Sequence, residues 1–154
     1  MVSQLFPHRF GNTYRGHKVA VWLFAVAVFV KAVIGLNSIF NGYTVARSAD
    51  GIPLETFTPA GAQAVVYLLA ILGLAHLMIC LLCILVFVRY RSMIPLMLAL
   101  LLIEYLSRRV ILHFLPVPRV GAPPGPFVNL LLLALMAVGL AFSLSRRNSH
   151  RIQE

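Results

Sequence analysis

Residues 101–116 read LLIEYLSRRVILHFLP. The stretch is apolar enough for half of a membrane-spanning helix, yet it carries Glu104, Arg108, Arg109 and His113. Its reading decides the fold. If it crosses a bilayer, the number of crossings is even and the two chain ends share a side. If it does not, the ends lie on opposite sides.

The surrounding chain argues for hydrocarbon. It has 154 residues, 60% of them hydrophobic and 11% charged, with a mean hydropathy of +0.91. Soluble domains carry roughly 25% charged residues. A water-soluble fold this apolar would expose large adhesive patches. Four apolar segments, residues 19–40, 62–88, 94–115 and 127–144, each approach the roughly 20 residues needed to cross a bilayer. The expected fold is all-α: an integral membrane four-helix bundle, up-down-up-down, in a single membrane domain over residues 1–154. The basic N-terminus followed by an apolar run has the outline of a signal peptide. The first apolar run, however, exceeds an h-region of roughly 7–15 residues and has no clear small-x-small cleavage site soon after it. It is expected to remain as an uncleaved span.

Local punctuation agrees. Thr58 and Pro59 suit the N-cap and first position of the second helix. RYRSMIP at 89–95 is short enough to force an antiparallel hairpin, with Pro95 early in the third helix, where its missing N–H costs little. LPVPRVGAPPGP at 115–126 is a constrained loop. The link between the first two segments contains the turn signal Asp50-Gly51, and it suits a hairpin or a surface helix equally.

Basic residues set the orientation. Arg9, Arg15, Lys18, Arg89, Arg91, Arg146, Arg147 and Arg151 flank one side, whereas Arg47 and Arg119 flank the other. The positive-inside rule puts both termini and the 89–93 link in the cytoplasm. A bacterial inner membrane is the expected location. The same distribution argues against nucleic acid as a partner, because the cations serve topology and lipid headgroups. Membrane lipids are the expected partners, together with a second copy or another membrane subunit.

Depth explains the charges in the opening stretch. A helix rises about 1.5 Å per residue, so Lys31, His76 and Glu104 all fall near the midpoints of their segments. A charge at that depth costs about 2.5–3.5 kcal/mol by insertion scales. Lys31 and Glu104 can satisfy one another across the helices, and Arg108 lies one turn from Glu104 on the same face. Arg109 and His113 lie further out and can snorkel toward the headgroups. Lys31, His76, Glu104, Arg108 and Arg109 are therefore the candidate binding residues. The cluster suits a structural clasp or a functional site: a proton-coupled path, an anion or lipid-headgroup pocket, or a catalytic centre. Asn37, Ser38, Asn41, Tyr43 and Asn129 lie at levels where they could join Arg108, Arg109, His113 and Arg119 in a basic vestibule.

Other constellations carry less. Gly73, His76, Cys80 and Cys83 form one helical stripe. It is expected to be a packing seam rather than a metal site, because small residues let helices approach closely. Ala134, Ala137 and Ala141 are expected to form a similar seam. A haem held by His76 and His113 is disfavoured, since the two differ in depth by about 13 Å. No Ser-His-Asp set, phosphate loop or zincin helix is present, so no catalytic residue, metal or cofactor is assigned. The expected role is non-enzymatic: a membrane subunit, or a carrier of an ion or small amphiphile. The alternative is a membrane-embedded enzyme acting on a lipid or quinone.

Overall fold

The computed structural model describes Tyr14 and residues 16–145. Arg9, Arg15, Arg146, Arg147 and Arg151, five of the residues behind the orientation argument, lie outside the described residues, as does the tail at 146–154. The described chain is helical, without strands. Four long helices dominate: α1, Lys18–Phe40; α2, Pro59–Arg89; α3, Ile94–Phe114; and α4, Gly125–Leu144. The expected boundaries are met within three residues at each end. Three of these helices, α1, α2 and α4, are long and apolar enough to cross a membrane. The opening stretch sits in the fourth, α3, where Glu104, Arg108 and Arg109 interrupt the apolar run.

Each helix ends for a local reason. The His17 ring accepts from the Val19 N–H at 3.3 Å and caps α1. Thr58 Oγ1 accepts from the Gly61 N–H at 3.2 Å and caps α2, with Pro59 in its first turn. A 3-10 turn at Arg91–Met93 joins α2 to α3, and Pro95 sits in the first turn of α3. The segment left open by sequence, between α1 and α2, is a chain of short helical turns: Gly42–Thr44, Val45–Ala49 and Leu54–Thr56.

Packing is uneven. Helix α1 lies between α2 and α4, and α3 rests mainly on α4 with only slight contact to α1 and α2. The α1–α2 approach is backbone to backbone. A Cβ added to Gly73 would come within 2.6 Å of the Gly35 carbonyl oxygen, so only glycine permits this distance. Cys80 and Cys83, one and two turns along from His76, are buried in the same seam, and the Cys80 thiol lies 3.6 Å from the Val28 carbonyl oxygen. The start of α1 abuts the end of α4. The His17 N–H donates to the Phe142 carbonyl at 3.3 Å, and the Tyr14 hydroxyl donates to Ser143 Oγ at 2.9 Å.

One expected seam is displaced. Ala134, Ala137 and Ala141 are exposed, and α4 packs instead through Leu132, Met136, Gly139 and Ser143. Gly139 receives Leu98 of α3 and Leu23 of α1, and the bulkier Leu132 and Met136 fill the space between those helices. Alanine on that face would leave it unfilled. Much of the exterior is large and apolar, including Trp22 at 74% and Phe40 at 78% exposure.

At the end of the molecule away from the α2–α3 turn, the two loops dock on each other. Gly51 takes φ +70°, a left-handed conformation that favours glycine. Its carbonyl accepts from the Val120 N–H at 2.9 Å, and Gly125 at the start of α4 fits against the Ala49 carbonyl and Asp50. Burial in this joint pushes the Asp50 carboxyl pKa up, opposed by the nearby positive charges of Arg119 and Arg108. The folded protein thus holds this proton more tightly than the unfolded chain does. The resulting stabilisation is present at low pH and is lost as pH rises through the raised folded value. Asp50→Asn is uncharged throughout. It should melt higher than the parent at about pH 7.5 and show no such advantage near pH 4. Thermal unfolding in detergent at both pH values measures the difference.

Candidate functional site

Lys31 of α1, His76 of α2, and Glu104 and Arg108 of α3 meet in one group. Lys31 Nζ donates to Glu104 Oε2 at 2.5 Å. On the other carboxylate oxygen, Arg108 Nη2 donates to Oε1 at 3.2 Å, and His76 Nε2 lies 3.3 Å away. Arg108 Nη2 also lies 2.8 Å from His76 Nε2. Lys31 and His76 are 2% and 5% exposed. The Glu104 and Arg108 side chains are partly open. The Tyr105 ring completes the group, 4.7 Å from the Lys31 ammonium and 5.8 Å from the Arg108 guanidinium. Cations at such distances gain from the negative face of the ring.

The His76 Nε2 atom lies between two partners: an unprotonated Nε2 accepts from Arg108 Nη2 at 2.8 Å, and a protonated one donates to Glu104 Oε1 at 3.3 Å. Both oxygens of Glu104 are engaged, one by Lys31 and one by Arg108. Among the described residues no fully buried side-chain nitrogen or oxygen lacks a partner.

Four of the five candidate binding residues are therefore brought together. Arg109 is not; it sits one position further round α3 and lines a cavity of about 550 Å³ between the C-terminal half of α3, the 115–124 loop and the start of α4. Arg108 and Tyr105 line that cavity too, so cluster and cavity share a wall. His113, Arg119 and Asn129 contribute to it, as the expected vestibule required, whereas Asn37, Ser38, Asn41 and Tyr43 do not. Tyr105 was missed by sequence reasoning. Its signal was helical spacing, one turn before Arg108 and Arg109. Among the described residues, no group of three or more His, Cys, Asp or Glu could hold a metal ion.

No protein-family model, curated protein or solved structure matches this chain.

Removing one partner of a buried ion pair leaves the other charge uncompensated, typically at a cost of about 3–5 kcal/mol, whereas an apolar replacement of both is often neutral. Glu104→Gln should therefore lower the thermal midpoint sharply. The double variant Lys31→Met with Glu104→Leu should recover most of the loss. Scanning calorimetry or fluorescence melting of the detergent-solubilised protein decides between them.

Proposed function

We propose that this chain is a small polytopic membrane protein. Its four long helices form an up-down-up-down bundle, with both ends and the α2–α3 turn on the cytoplasmic side of a bacterial plasma membrane. Its role is non-enzymatic: a carrier of a small amphiphile or ion, or a subunit presenting such a ligand to a membrane complex. The carrying observation is that Lys31, His76, Glu104 and Arg108 form a closed group joining three helices, and that Arg108 also faces a basic cavity.

Three features support this reading. The exterior is rich in large apolar side chains, as a lipid-facing surface requires. Within α3, the charges that interrupt the apolar run are turned toward partners: Glu104 and Arg108 into the group, and Arg109 toward the cavity. That makes a fourth crossing affordable. The adjacency of the α1 start and the α4 end fits chain ends on one side. Engagement of each Glu104 oxygen by a cation, Lys31 on one and Arg108 on the other, supports a clasp beside a binding cavity.

The fourth crossing is directly testable. Cys80 and Cys83 are buried and give little background with impermeant thiol reagents. Thr56→Cys and Val120→Cys should label in intact cells, and Arg91→Cys only after permeabilisation. A Val120→Cys variant that needs permeabilisation would mean that α3 does not cross, and the bundle reading would fall.

A further inference from the structure

The cavity at the outer half of α3 is basic. Arg108, Arg109, His113 and Arg119 all line it, and no carboxylate does. The two nearest acids are accounted for. Glu104 is held by Lys31 and Arg108, and Asp50 lies close enough to Arg119 and Arg108 for their charges to act on it. Among the described residues, neither Arg109 nor Arg119 is within ion-pair distance of a carboxylate. Three arginines line one concavity, and their like charges repel. An anion removes that repulsion.

The shape narrows the anion. At about 550 Å³ the cavity falls within the range of small-ligand sites. Leu112, Val117 and Leu133 line it as well. Asn129, in the first turns of α4, adds a neutral amide, and Tyr105 a ring wall. Guanidinium groups present paired donors matched to phosphate and carboxylate oxygens, and the apolar wall suits the stem of an acyl or glyceryl chain.

We propose that the Arg108–Arg109–Arg119 cavity is a binding site for one phosphate-bearing amphiphile, its anionic head among the arginines and its apolar stem against Leu112 and Leu133. This deepens the membrane reading and rests on it. The phosphate could belong to a bilayer lipid or to a soluble phosphate ester, and the chemistry of recognition is the same for both. Arg109 and Arg119 make the specific contacts, and Arg108 links the ligand to the Lys31–Glu104 pair.

The test uses the full chain in neutral detergent, titrated with phosphatidylglycerol or phosphatidylcholine and read by native mass spectrometry. One phosphatidylglycerol should bind per protomer, about 10-fold more tightly than phosphatidylcholine. Arg109→Gln and Arg119→Gln should each remove most of that preference, and Arg109→Lys should keep part of it. Arg47→Gln, whose parent residue pairs with Glu55 outside the cavity, should keep all of it. Melting curves confirm that the variants remain folded. Displacement of the lipid by glycerol 3-phosphate assigns the site to a soluble phosphate ester, and failure to displace assigns it to a lipid; both support the site. Equal binding of the two lipids, or full preference retained in the Arg109→Gln, Arg119→Gln double variant, overturns it. Thiol labelling of Val120→Cys is independent of this result, so loss of the site and loss of the membrane topology are told apart.

Discussion

The contact between the Lys31 ammonium and the Glu104 carboxylate is the constraint on which the arrangement of α3 depends. Helix α3 rests on α4 and touches α1 and α2 only slightly. Polar contacts tie it to those two helices, through Lys31 from one and His76 from the other. Apolar packing alone would let α3 slide or rotate, because one leucine-rich face substitutes readily for another. An ion pair whose ammonium is buried does not tolerate that. Moving α3 by one residue turns Glu104 by about 100° and leaves Lys31 without a counter-charge. A buried pair of this kind adds little net stability over apolar packing; what it supplies is register.

Such a pair also needs its surroundings completed. Glu104 offers two oxygens, and both are used. The Tyr105 ring lies against both Lys31 and Arg108, so the cations keep a favourable face after leaving water. Arg108 is the shared member, touching Glu104 and His76 on one side and lining the cavity on the other. On the proposed reading, a ligand in the cavity would act first on Arg108, and through it on the group that fixes α3. On the proposed membrane reading, this is how a ligand near one surface would act at mid-depth.

Much of this was legible in the sequence, for identifiable reasons. Helix ends were marked by residues whose backbone chemistry is local, such as Thr58, Pro59 and Pro95. The meeting of Lys31, His76 and Glu104 followed from a fixed rise per residue, which turns sequence position into depth. Arg109 could not be separated from Arg108 in this way, since adjacent residues share a depth and differ only in the direction they face. The packing face of α4 was unreadable because that helix is apolar all round, so Ala134 and Gly139 look alike until α1 and α3 are in place. The docking of the two loops through Gly51 and Val120 joins segments distant in the chain and leaves no local signature.

Solid-state NMR on the protein in lipid bilayers reaches the central contact most directly. The chain has two lysines, Lys18 and Lys31, and three glutamates, Glu55, Glu104 and Glu154. Labelling lysine side-chain nitrogen and glutamate carboxyl carbon in a Lys18→Arg background leaves Lys31 as the sole labelled lysine. Strong nitrogen–carbon dipolar dephasing, as a 2.5 Å Nζ–Oε2 contact demands, should appear and should vanish when Glu104 is replaced by Gln. Absence of dephasing, or dephasing that survives the loss of Glu104, would show that the ammonium and the carboxylate do not meet.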